Sequence, residues 1–242
     1  MWKLIATIFK GLFQKKEDYL PGVEKIFPKE EKIMRKTVVI DPGHGGGDPG
    51  AVNKELNYLE KDIVLKVAKY LAAELKENYS YIVPFLSREN DESISLDHRC
   101  IKANRVVQSN LSVKPADIFL SIHTNARALK GKYGLEIETY YYKDSEIGKE
   151  LAKIIQKNLV SKQNMLPTID RGVKAGKRWS KKKQKWMSFY VLKHTEMPAV
   201  LVELGFLSDV EECIILASSV HQQTMAKVLA QSIAEFFEKE NA

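Results

Sequence analysis

Short, nearly unbroken apolar runs alternate with longer amphipathic stretches along most of this chain, and few architectures accommodate that alternation. "KTVVI" (36–40), "DIFLSI" (117–122) and "AVLVELGF" (199–206) read as strands buried on both faces. "YIVPFLSR" (81–88) reads as a strand near an edge, because Pro84 has no N–H to give a second neighbour. "GLEIETYYY" (134–142) alternates like a strand with one wetter face. Between them, Ile63, Val64, Val67, Leu71 and Leu75 fall on one side of the helical stretch "LEKDIVLKVAKYLAAELKE". "LDHRCIKANRVVQS", "EIGKELAKIIQKNLVSK", "DVEECIILAS" and "VHQQTMAKVLAQSIAEFFEKE" continue the helical series. The pattern predicts a single α/β domain with a mostly parallel, twisted central sheet and helices on both faces. In such sheets ligands bind beyond the carboxyl ends of the strands, so functional residues are expected where the strands stop.

Polar residues do stand at those stops. His44 lies in "VVIDPGHGGGDPG" (38–50), His123 follows "FLSI", Glu203 follows "AVLV", and Arg88 ends "IVPFLS". Glu60 has two readings. With Asn57 it resembles a capping box at a helix start; in phase with Val64, Val67 and Leu71 it is an inward carboxylate needing a counter-charge. A metal ion supplies one. Two imidazoles and a carboxylate form a His₂Glu donor set, which suits catalytic zinc with a fourth position left open. The glycines around His44 permit tight turns beside a bound ion, and Asp41 is placed to fix the imidazole tautomer. Gly45, Gly47 and Gly50 also satisfy G-x-G-x-x-G, but "AVNKELN" intervenes before any helix, so dinucleotide binding is not expected.

The remaining composition sets limits. No apolar run among the 242 residues is long enough to span a membrane, and two cysteines, Cys100 and Cys213, make no disulfide framework. Residues 1–35 read as an N-terminal amphipathic segment and charged linker before a domain at 36–242. Trp2, Ile5, Ile8, Phe9, Leu12 and Phe13 recur at helical spacing, so residues 2–13 suit weak membrane-surface contact or packing on the domain. Lys10 interrupts the run that a signal peptide needs, so no export route is read here. The net charge is +7, and one basic loop, residues 174–185, alone holds seven Lys or Arg and no acid. With Trp179 and Trp186 interleaved, this basic insertion (about 170–188) suits anionic wall polymers, a nucleic acid or plain solvation; nucleic acid is the least expected.

In order, "VVIDPGHGGGDPGA", "LEKD", "LSREND", "ADIFLSIHTNA" and "MPAVLVELGFLSD" resemble the zinc-dependent N-acetylmuramoyl-L-alanine amidases of the amidase-3 type. The resemblance implies that His44, Glu60 and His123 bind zinc and that Glu203 is the catalytic glutamate. It implies hydrolysis of the amide between N-acetylmuramic acid and L-alanine in peptidoglycan, and action at the cell wall. Asn125 and Arg88 are candidates to bind substrate. Asp209 stands where the family usually has Asn, and either caps a helix. The stretch from His123 to Glu203 exceeds what a minimal member needs, and the surplus falls at the basic insertion. Two other readings stay open: a zinc peptidase cutting within the stem peptide, and a wall-binding module without chemistry.

Overall fold

The computed structural model describes residues 35–107, 112–127, 134–161, 167–180 and 182–240. The amphipathic segment expected at residues 1–35 lies outside them apart from Arg35, as does Lys181 of the basic insertion.

The strands of the central sheet are β1 (Lys36–Pro42), β2 (Ile82–Leu86), β3 (Ile118–Asn125), β4 (Leu135–Tyr141), β5 (Thr168–Ala175) and β8 (Ala199–Phe206). Their order is β2-β1-β3-β8-β4-β5. From β2 to β8 all neighbours are parallel; β4 runs antiparallel to β8, and β5 is parallel to β4. Pro84 sits on the edge strand β2, where a missing N–H costs no ladder bond. Successive residues of β1 feed different layers. Val38 and Ile40 join one apolar cluster, and Val39 joins the other with Cys100, Phe119 and Leu201. That is why these strands carry no polar alternation.

Helix α1 (Glu60–Asn78) supplies Ile63, Val67, Leu71 and Leu75 to the first layer, where α3 (Glu146–Val160), α5 (Val210–Ala217) and the long α6 (Ser219–Glu240) also pack. Helices α2 (Leu96–Asn104) and α4 (Tyr190–His194) cover the second layer. Asp209 caps α5, accepting from the backbone N–H groups of Glu211 and Glu212. Among the described residues no helix is long and apolar enough to cross a membrane.

Two expectations fail. The helix read through "NRVVQS" stops at Asn104, because Val106–Val107 pair with Val113–Lys114 as a short ladder. The basic insertion is not a loop. Thr168–Ala175 is the sheet's outermost strand, and β6 (Lys177–Ser180) with β7 (Lys185–Ser188) forms an antiparallel hairpin beyond it.

Candidate active site

The four parallel strands end at one rim, and the rim carries the expected side chains. His44 follows β1, His123 lies near the end of β3, and Glu203 of β8 stands in register with both His123 and Glu138 of β4. Glu60 opens α1 and is 2% exposed. Its helix has Leu59 at the N-cap with no side-chain bond, so the capping-box reading with Asn57 does not hold. Glu60 Oε2 instead accepts from Ala51 N at 2.6 Å, and Oε1 from Thr124 N at 3.0 Å. Two backbone donors thus fix a buried carboxylate whose Oε1 faces both imidazoles: His44 Nε2 at 3.2 Å and His123 Nδ1 at 3.0 Å.

The donor atoms of His44, Glu60 and His123 all lie within 4.8 Å of one another. In a tetrahedral zinc site with bonds of about 2.0–2.1 Å, neighbouring donors stand roughly 3.3 Å apart. The separations of Glu60 Oε1 from His44 Nε2 and His123 Nδ1, 3.2 and 3.0 Å, are close to that edge. Two glycines keep the space open. A Cβ on Gly43 would lie 2.2 Å from His123 Cε1, and one on Gly50, whose φ is +67°, would lie 2.5 Å from Glu60 Oε2. The glycine-rich turn therefore clears room at the ligand cluster.

The partner of the other His44 nitrogen is Asp48, not Asp41. Asp48 Oδ2 lies 2.8 Å from His44 Nδ1, which leaves Nε2 to point at Glu60. Asp41 is 1% exposed and takes Ser87 Oγ, Ser121 Oγ and Arg99 Nη1. Burial alone would raise its pKa, but Arg99 and the two hydroxyls leave it lowered. Arg99 also donates to the carbonyls of Pro42 and His44. Arg88, expected to bind substrate, is 1% exposed and spends its guanidinium on the carbonyls of Pro42, Gly43, Lys61 and Asn90. Two buried arginines thus hold the His44 turn from behind, and Arg88 is closed to a ligand. Asn125 is half-buried and donates to Glu138 Oε1 at 2.7 Å, so its amide is engaged within the protein.

Glu203 has a different environment. Its Oε2 is buried and, among the described residues, has no hydrogen-bond partner. Burial first, and then the charges of Glu60 and Glu138, push its pKa well above the ordinary carboxylate value. Glu60 moves the other way: burial opposes ionisation, but His123 and His44 hold its pKa far below normal. Glu138 pairs with Arg171 and Lys174 and accepts a hydrogen bond from Tyr140. The rim therefore sets a carboxylate held between two imidazoles against a second one whose buried oxygen, among the described residues, has no partner. His44, His123 and Glu203 line one cleft of about 520 Å³. Sequence reasoning missed Asp48, Arg99 and Arg178, which also line that cleft; Asp48, four residues beyond His44 in the same turn, was the most accessible signal of the three.

The model of the N-acetylmuramoyl-L-alanine amidase family matches residues 38–235, a span that contains every residue of this rim. The chain belongs to that family. The amidase is 36% identical over 211 residues to YqiI of Bacillus subtilis, covering 86% of this chain and 88% of YqiI. It is 35% identical over 207 residues to the N-acetylmuramoyl-L-alanine amidase LytC of the same species, covering 85% of this chain but 36% of LytC. The crystal structure of an N-acetylmuramoyl-L-alanine amidase from Clostridium difficile 630 superposes with a TM-score of 0.70 at 34% identity, covering 85% of this chain and 98% of that one. The amidase is accordingly a peptidoglycan amide hydrolase.

Proposed function

We propose that the amidase cleaves the bond between N-acetylmuramic acid and L-alanine with zinc held by His44 Nε2, Glu60 Oε1 and His123 Nδ1, and with Glu203 carrying the proton. One observation supports this above the others: three donors converge at the cleft that also holds Glu203, whose buried Oε2 has no partner among the described residues. When bound, zinc supplies a Lewis acid that polarises a carbonyl and acidifies water.

The chain's own residues do the rest. Asp48 holds the His44 tautomer through Nδ1, and the backbone N–H groups of Ala51 and Thr124 hold Glu60. Glu203 accepts a proton from the attacking water at Oε2 and returns it to the departing nitrogen, because among the described residues no group competes for that oxygen. The carbonyl carbon gains the water oxygen, the C–N bond breaks, and L-alanine leaves with a free amino terminus. The cysteines offer no covalent route: among the described residues Cys100 and Cys213 are buried, and burial pushes each thiol up to about 11. Digestion of purified sacculi followed by mass analysis tests the bond. Intact glycan strands and new L-alanine amino termini are expected; cuts within the stem peptide contradict the proposal and favour a zinc peptidase.

The β6–β7 hairpin is the proposed wall contact. Trp179 and Trp186 are 48% and 59% exposed and meet edge to face at 5.7 Å, with Lys177 Nζ 5.3 Å from the Trp186 ring centre. Such a surface suits anionic wall polymers. Neutralising Lys181, Lys182 and Lys183 together is expected to weaken sacculus binding most at low salt, where the Debye length exceeds ~10 Å. A binding assay across ionic strength checks this; equal binding by variant and wild type at every salt concentration would show that the charges are only solvated.

A further inference from the structure

The two faces of the β6–β7 hairpin differ. Trp179 pairs with Trp186 and Arg178 with Met187, and neighbouring strand positions point to opposite sides. The tryptophans and Lys177 therefore share the outer face, while Arg178 lies on the other and lines the cleft that holds His44, His123 and Glu203. The root of the arm is fixed. Gly176 N donates to Tyr141 O at 2.8 Å and Phe189 N to Gly176 O at 3.0 Å. A Cβ on Gly176 would lie 2.6 Å from Leu192 Cδ1, so the hairpin is seated closely on α4.

Arg99 and Asp48, which share the cleft, are committed. Arg99 serves Asp41 and the carbonyls of Pro42, His44 and Ile94, and Asp48 serves His44. Arg178 is exposed, and among the described residues it has no hydrogen bond or ion pair. A guanidinium presents a planar fork that matches a carboxylate with two charge-assisted bonds. The substrate of this cleft carries such groups on its stem peptide, beyond the bond that breaks.

We propose that Arg178 is a specificity-determining residue that binds a stem-peptide carboxylate and so orients the departing side of the scissile amide. The proposal rests on the amidase reading of the cleft. It assigns the inner face of the hairpin a role separate from wall adhesion by the outer face. Discrimination follows from charge: a carboxamide in the same place offers one acceptor oxygen and no charge, and meets the fork with an N–H group.

Two soluble muramyl peptides test it, identical except that the residue after L-alanine bears a free carboxylate in one and a carboxamide in the other. For the wild-type protein loaded with zinc, kcat/KM is expected to favour the carboxylate roughly 10-fold, the lower end for a hydrogen-bonded charge, with most of the difference in KM. Arg178→Gln should bring the ratio close to one, and Arg178→Lys should keep part of it, since the charge stays while the fork is lost. A wild-type enzyme that does not discriminate, or an Arg178→Gln variant that keeps the full ratio, overturns the assignment while leaving the amidase reading intact. Hydrolysis of neither peptide by the wild type overturns both.

Discussion

Glu203→Gln is expected to keep its metal, its fold and its affinity for sacculi while turnover falls by about 10² to 10⁴. Glutamine preserves the size and planarity of the side chain but cannot take a proton and give it back. The position tolerates a neutral group well, because Glu203 Oε2 is buried and, among the described residues, accepts no hydrogen bond that an amide would lose. Glu60→Gln should fail differently. Its carboxylate is held ionised against His123 and His44, and a neutral amide is a poorer zinc donor, so metal content should fall before any chemistry is measured. Zinc content beside hydrolysis rate, measured on both variants, separates the roles. Loss of metal from Glu203→Gln with retention by Glu60→Gln would reverse them.

The second large effect concerns the imidazoles. His44→Ala or His123→Ala removes one of three protein donors, so metal and activity should disappear together. Asp48→Ala should be milder, lowering metal affinity by about 10- to 100-fold, the usual cost of losing the group that orients a ligating histidine. Its effect works through Nδ1 of His44, 2.8 Å from the Asp48 carboxylate. A readout independent of activity is available, since an ion that binds only the folded chain raises its melting temperature. The zinc-dependent rise should be largest for wild type, smaller for Asp48→Ala and absent for His123→Ala. An equal rise in all three would place the ion elsewhere.

Much of this fold was legible because the sheet's inner strands are buried on both faces and so carry continuous apolar runs. "AVLVELGF" corresponds residue for residue to Ala199–Phe206. β5 escaped notice for the opposite reason: Asp170 and Arg171 are exposed on an edge strand, and "TIDRGVKA" shows neither an apolar run nor clean alternation. The hairpin was hidden by its charges, since pairing of Trp179 with Trp186 depends on register rather than composition. The convergence of His44, Glu60, His123 and Glu203 could be anticipated because each lies at or near the carboxyl-end rim of the parallel strands or at the helix start beside it. Asp41 and Arg88 were misread because a strand-end position does not say which way a side chain turns. Both face the interior, where Arg88 and Arg99 bind the carbonyls that the His44 turn directs inward.

Returning zinc to chelated wild-type protein, while following the L-alanine amino termini released from sacculi, measures the central claim most directly. The rate should rise in proportion to bound metal and level off at about one zinc per chain, as a single His₂Glu site requires. Undiminished release of those termini by protein shown by elemental analysis to be metal-free would contradict the account.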